Sequence, residues 1–199
     1  MKKDIIICGV GGQGTVLASK IIAAAAMEHG EIVHSAETIG MAQRGGSVTS
    51  HVRIGEEAYS PLIPYASADL IIGFEPAEAV RNLIYLNKGG LVITNTSPTK
   101  PVTESLHKTG YNGVDMVDYL KNKCRTIAID GEEICREYGS ARYLNIVLLG
   151  VTAASSVLDL PQELIINEIK RRVPAKFLEI NLSAFQKGYE IGQTYQNHK

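Results

Sequence analysis

Residues 4–21, "DIIICGVGGQGTVLASKI", decide the fold. Residues 4–10 are a short, unbroken apolar run rich in β-branched side chains, the pattern of a strand buried on both faces. "GGQG" follows at 11–14. After it, residues 15–30 carry Val16, Leu17, Ile21 and Ala24 at helical spacing and end on a glycine. Residues 31–36, "EIVHSA", read as a second strand. Strand, glycine turn, helix and strand make a βαβ unit, expected to cross over right-handed.

The parallel rhythm is interrupted once. "VTSHVRI" (48–54), "GEE" (55–57) and "AYSPLI" (58–63) read as two alternating strands around a short turn, a β-hairpin. It then resumes, with a strand at 68–74, a helix at 75–86 with Pro76 in its first turn, and a strand at 89–96. After a proline-rich connection come a helix at 113–123, a strand at 125–130 and a short helix at 132–138. Residues 141–160 are apolar almost all round, as in a helix buried against a sheet. Two more helices, 161–173 and 176–196, close the chain, the last with Phe177, Ile180, Ala184 and Tyr189 facing inward. The expectation is one α/β domain over residues 1–199: a Rossmann-like, mostly parallel sheet with flanking helices, a β-hairpin insertion and a helical C-terminal region.

Composition narrows the function classes. The chain has 199 residues, 45% hydrophobic, and a net charge of −1. That is enough for one good-sized core. It gives no electrostatic reason to expect nucleic acid or an anionic membrane as partner. The densest basic cluster, "EIKRRV" at 168–173, reads as the solvated face of a helix. The apolar start is too short for a signal peptide and "IIAAAAM" too short to span a bilayer, so the chain reads as cytoplasmic. Cys8, Cys124 and Cys135 are widely spaced and form no C-x-x-C pair, so neither an iron–sulfur cluster nor structural zinc is expected on this chain. Cys8, inside a strand, is a small core residue.

Two segments carry chemistry. "GVGGQG" puts Gly9, Gly11 and Gly14 at G-x-G-x-x-G spacing between a strand and a helix. In that context Gly9 makes the turn, Gly11 admits a ligand to the backbone, and Gly14 packs helix on strand. The helix start then favours an anion, making Gly11, Gly12, Gln13 and Gly14 the candidate cofactor-binding residues. Glu37 lies slightly beyond the spacing of a ribose-binding acid and enters the following loop, so a dinucleotide site is not favoured. The second segment is "ETIGMAQRGGSV", residues 37–48. Arg44, beside Gly45 and Gly46 and preceded by Met41 and Gln43, can grip a phosphate or carboxylate in a cleft between this chain and another. It can equally tie its own loop to a carbonyl or to Glu37. No histidine, serine or carboxylate constellation amounts to a catalytic set, so no catalytic or metal-ligating residue is assigned. The profile is that of a subunit whose partner does the chemistry. A stand-alone nucleotide-binding oxidoreductase using NAD(P) or a flavin is the alternative.

"GVGGQGTVLASKI", "GMAQRGGSVTSHVRIG", "SPLIP", "ADLIIGFEPAEAVR" and "YLNIVLLG", in that order, resemble the small subunit of indolepyruvate:ferredoxin oxidoreductase. That subunit is similar in turn to the gamma subunits or domains of pyruvate and other 2-oxoacid:ferredoxin oxidoreductases. "GGQG" is common to the wider group, whereas "GMAQRGGSV" points to the indolepyruvate branch. The resemblance implies oxidative decarboxylation of an aryl 2-oxoacid with coenzyme A to an aryl-acetyl-CoA and carbon dioxide, electrons passing to ferredoxin. It implies a large partner subunit holding thiamine diphosphate, magnesium and iron–sulfur clusters, in an anaerobic cytoplasm. Met41, Gln43, Arg44, Gly45 and Gly46 would then line a substrate or CoA cleft together with the "GGQG" loop, at the interface with that subunit.

Overall fold

The structure, a computed structural model, describes residues 2–39, 45–56, 59–99 and 110–196. Among these, six strands form one sheet: β1 (Lys3–Val10), β2 (Val33–Ile39), β3 (Ser47–Ile54), β4 (Ala68–Gly73), β5 (Leu86–Asn95) and β6 (Arg125–Ile129). Their spatial order is β2–β3–β1–β4–β5–β6. β1, β4, β5 and β6 are parallel neighbours. β3 is antiparallel to both β1 and β2, so β3 alone runs against the rest. The expected mostly parallel α/β sheet is present.

β1 shows why the isoleucine run belongs at the centre. Ile5 and Ile7 point to one face, Ile6 and Cys8 to the other, and all four are 0% exposed. The first face is covered by α1 (Thr15–Glu28), α4 (Gly131–Arg136), α5 (Leu144–Ala154), α6 (Gln162–Arg172) and α7 (Leu178–Gln196). The second is covered by α2 (Pro76–Arg81), α3 (Val114–Lys123) and the chain around Ile63. No helix among the described residues is long and apolar enough to cross a membrane.

The hairpin differs from its expected form. β3 pairs along its length with β2 and not with the segment after it, so the connection of the hairpin is the stretch containing Arg44. β3 also lies between β1 and β2, which are therefore parallel in sense but not neighbours. Residues 59–63 form no strand because side chains of β3 take over their backbone groups. Arg53 donates to the carbonyls of Ser60 (3.0 Å) and Leu62 (3.3 Å), and the Ile63 N–H donates to His51 Nδ1 at 3.2 Å. Arg53 is itself held by the nearly buried Asp4, 2.7 Å away. With those groups satisfied, and with Pro61 and Pro64 lacking N–H, no ladder is needed.

Helix lengths differ too. The helix expected at 75–86 ends at Arg81, followed by a 3-10 turn at Leu83–Tyr85 and an early start to β5 at Leu86. The one expected at 141–160 opens with a 3-10 turn at Ala141–Tyr143 and stops at Ala154, where Ser156 turns to φ 58°. In α7 the inward stripe is Asn181, Ala184, Phe185, Gly188 and Gly192; Phe177 is 43% exposed. The reason is a close helix crossing. A Cβ on Gly150 of α5 would overlap the Phe185 carbonyl oxygen, and one on Gly188 would overlap that of Val147.

His51 gives this packing a pH dependence. Burial, and secondarily Arg53, hold its pKa below the ordinary histidine value, and its Nδ1 accepts from Ile63. Between the lowered folded value and the unfolded value of about 6.5 the unfolded chain binds more protons. The stabilisation is therefore full above about pH 6.5 and is lost as pH falls below it. We expect melting temperatures to decline below that pH. His51→Asn, whose carbonyl oxygen can replace Nδ1, should flatten the decline; an unchanged slope would exclude His51 as its source.

Candidate functional site

The "GGQG" loop leaves the C-terminal end of β1, where open α/β sheets place ligands. Gly12 and Gly14 adopt φ 103° and 88°, conformations that favour glycine. Two loop amides are used within the chain: Gly11 N–H donates to the Gly46 carbonyl (2.8 Å) and Gln13 N–H to that of Val10 (3.1 Å). The approach at Gly12 is open, since a Cβ there would meet nothing within 4 Å. Gly14 serves close packing, but against Asn145 of α5 and not against the strand; a Cβ would lie 2.8 Å from its Nδ2.

Gln13 folds back as a clamp. Its Oε1 accepts the Val10 N–H at 2.7 Å, and its Nε2 donates to the Phe74 carbonyl (3.4 Å) and Thr99 Oγ1 (3.0 Å). Asn95, 4% exposed, repeats the pattern from β5. Its Nδ2 donates to the carbonyls of Phe74 (3.3 Å) and Ser97 (3.1 Å), and its Oδ1 accepts from Gly131 N–H (2.9 Å) and Ser97 N–H (3.3 Å). The Phe74 carbonyl at the end of β4 is thus the common acceptor. Two amide side chains tie together the C-terminal ends of β1, β4, β5 and β6.

This arrangement frames a cleft of about 420 Å³. Gly12 and Gln13 form one wall, Asn95 and residues 97–99 a second, and Gly131, Glu132, Ala141, Arg142 and Leu144 a third. Arg142 supplies its cation, at the turn opening α5. Sequence reasoning missed both Arg142 and Asn95. Arg142 stands near the head of a segment that reads as one long apolar helix, although Ser140 just ahead, accepting the Arg142 N–H at 3.3 Å, is a recognisable helix-start residue. A glycine-lined cleft with an exposed guanidinium and helix starts nearby can receive a phosphorylated or carboxylate-bearing ligand.

Met41, Gln43 and Arg44 lie outside the described residues. Gly45 and Gly46 lie within them, and the Gly46–Gly11 hydrogen bond brings the end of that loop beside "GGQG". Glu37 is inside β2 and not at its exit; its carboxylate accepts from Ser19 at 3.4 Å. The strand beside β1 on that side is the antiparallel β3, so β2 cannot offer an acid to a ribose in the way a dinucleotide site requires.

Beneath the loops, Cys8 is fully buried, and burial, with Glu78 and Glu75 adding to it, pushes its thiol well above the usual range. A thiol so placed is neither nucleophile nor ligand. Among the described residues no group of three His, Cys, Asp or Glu comes together to hold a metal. Their donor sets therefore do not fit an iron–sulfur cluster, which takes four thiolates.

Residues 4–191 match the family described as pyruvate ferredoxin/flavodoxin oxidoreductase. The chain belongs to that family. Within it, the chain is 38% identical over 193 residues to the indolepyruvate oxidoreductase subunit IorB of Thermococcus kodakarensis, covering 96% of each. The kinship expected from the motifs therefore holds. Among solved structures, the keto/oxoacid ferredoxin oxidoreductase gamma subunit of Geobacter sulfurreducens superposes with a TM-score of 0.70 at 24% identity, covering 96% of this chain and 99% of that one. The 2-oxoglutarate:ferredoxin oxidoreductase of Magnetococcus marinus, solved with 2-oxoglutarate, coenzyme A and succinyl-CoA bound, gives a TM-score of 0.76 at 19% identity. The match covers 97% of this chain but 31% of that chain, so the same fold occurs there as one part of a longer polypeptide.

Proposed function

We propose that this chain is the small subunit of a 2-oxoacid:ferredoxin oxidoreductase acting on indolepyruvate or a related aryl 2-oxoacid. A large partner subunit carries thiamine diphosphate, magnesium and the iron–sulfur clusters. The observation that carries the reading is end-to-end likeness to an indolepyruvate oxidoreductase subunit. Thiamine diphosphate on the partner supplies the decarboxylation, coenzyme A takes up the acyl group as an aryl-acetyl-CoA, and ferredoxin receives the electrons. The complex works in an anaerobic cytoplasm.

This chain's own residues bind and orient. The Gly12 backbone and the Arg142 guanidinium line the cleft and suit a phosphate-bearing part of coenzyme A; Arg44, outside the described residues, is the candidate second cation for a phosphate or for the 2-oxoacid carboxylate. Gln13 and Asn95 hold together the strand ends that carry the walls. Anaerobic purification of the tagged chain from its own cells tests the assembly: a co-purifying chain with iron and thiamine diphosphate is expected, and a stable solitary chain would end the reading. Within the assembled enzyme, Arg142→Ala and Arg44→Ala should each raise the Michaelis constant for one ligand about tenfold and leave turnover at saturation near its original value. Unaltered kinetics in an intact complex would remove the ligand role from the arginine concerned.

A further inference from the structure

The first turn of α2 holds two carboxylates, Glu75 and Glu78, at 2% and 4% exposure. Starting a helix does not require both. Glu75 caps it with one oxygen, accepting the Glu78 N–H at 2.9 Å, and Glu78 pairs one oxygen with Arg81. A second buried carboxylate costs desolvation, so its other contacts need an account. Each acid spends its remaining oxygen on a residue far away in sequence. Ser47 Oγ donates to Glu78 at 2.6 Å, and the Tyr111 hydroxyl donates to Glu75 while accepting the Ala77 N–H at 3.2 Å. Burial and Glu75 push the Tyr111 hydroxyl well above its ordinary pKa, so it remains a donor.

Both tethered residues stand where a connection re-enters the fold beside the cleft. Ser47 follows Gly46, whose carbonyl holds the Gly11 amide of "GGQG". Tyr111 follows the connection that departs from the cleft wall at Thr99, itself held by Gln13. We propose that Glu75 and Glu78 are positioning residues: one carboxylate pair fixes Ser47 and Tyr111, the points at which two connections re-enter the fold. The kinetic consequence rests on the functional reading above; the positioning does not.

The test uses the assembled complex and variants that delete one hydroxyl, Ser47→Ala and Tyr111→Phe, leaving both acids and the helix start intact. Amide exchange should accelerate about tenfold or more over residues 45–49 in the first and 110–114 in the second, with β1 and α5 unchanged. Ser47→Thr, which keeps the hydroxyl, should restore slow exchange. The Michaelis constant for coenzyme A or 2-oxoacid should rise with turnover preserved. Unaltered local exchange, or an equal rise throughout the chain, would overturn the proposal. Local acceleration with unchanged Michaelis constants would leave the positioning standing and remove the ligand role of the cleft.

Discussion

Gly188→Ala should lower stability by about 3 kcal/mol, a fall in melting temperature of about 6–12 °C for a chain of this size. Two effects oppose each other here. Alanine favours a helix by about 1 kcal/mol over glycine, so at an open position the change would stabilise. At Gly188, however, the new methyl would overlap the Val147 carbonyl oxygen and crowd the rest of that residue's backbone, with Val147 Cα at 3.1 Å. Backbone cannot rotate away as a side chain can. α5 and α7 would have to separate, and the separation would propagate. Gly150 opposes α7 from the other side, with a Cβ 2.7 Å from the Tyr189 nitrogen, and Gly192 meets Ala154 one turn further on. The fully buried Val147, Val151, Ala184 and Phe185 would lose their close contacts together. Thermal unfolding of the variant beside Gln186→Ala, an exposed position of the same helix, isolates the clash from propensity. A variant as stable as the parent would mean that the two helices do not touch backbone to backbone.

That crossing also marks how far the sequence could be read. "DIIICGVGGQG" is legible because a strand buried on both faces and a glycine turn leave local signatures. The long C-terminal helices are legible for the same kind of reason. Which stripe of α7 faces inward was not, because apolar size points to Phe177 while the crossing is chosen by small residues, Ala184, Gly188 and Gly192. Small side chains carry almost no hydropathy signal, and their value appears only when the opposing helix is known. The strand expected at 58–63, absent over the described residues 59–63, has a similar origin. Its alternating pattern is real, and Ile63 is buried, but His51, accepting the Ile63 N–H, and Arg53, donating to the Ser60 carbonyl, replace the ladder. Side chains of another strand cannot be read from the segment they capture.

The site divides along the same line. The glycine loop announces itself because strand, glycines and helix are contiguous. Arg142 and Asn95 do not, because they reach the cleft from the turn that opens α5 and from the end of β5, brought beside the loop by the order β1–β4–β5–β6, which pattern alone leaves open. Gln13 stands out in the sequence but its role does not: a glutamine in a loop reads as a ligand contact until its three partners, at the end of β1, just after β4 and in the connection after β5, are placed around it.

Asn95→Asp should be the most damaging near-isosteric change in the cleft, costing about 3 kcal/mol. The acceptor half of the side chain survives, since a carboxylate oxygen can still take the Gly131 and Ser97 N–H groups. The donor half does not. An oxygen replaces Nδ2 and faces the carbonyls of Phe74 and Ser97, at 3.3 and 3.1 Å, in a site 4% exposed. Three oxygens then meet without a proton between them, unless the new carboxyl retains its own. Retention raises its folded pKa above the unfolded value of about 3.9. The sign follows: relative to an ordinary aspartate, stability is kept below about pH 3.9 and is lost as pH rises toward the folded value. The gap in melting temperature between parent and variant should therefore narrow as pH is lowered from 7 toward 4. Because Phe74 also accepts from Gln13, the displaced carbonyl should disturb the "GGQG" loop and weaken ligand binding at pH 7 even at temperatures where the variant is fully folded. Equal stability at every pH would mean that the Phe74 and Ser97 carbonyls find their donors elsewhere, and that Asn95 does not bind the strand ends together.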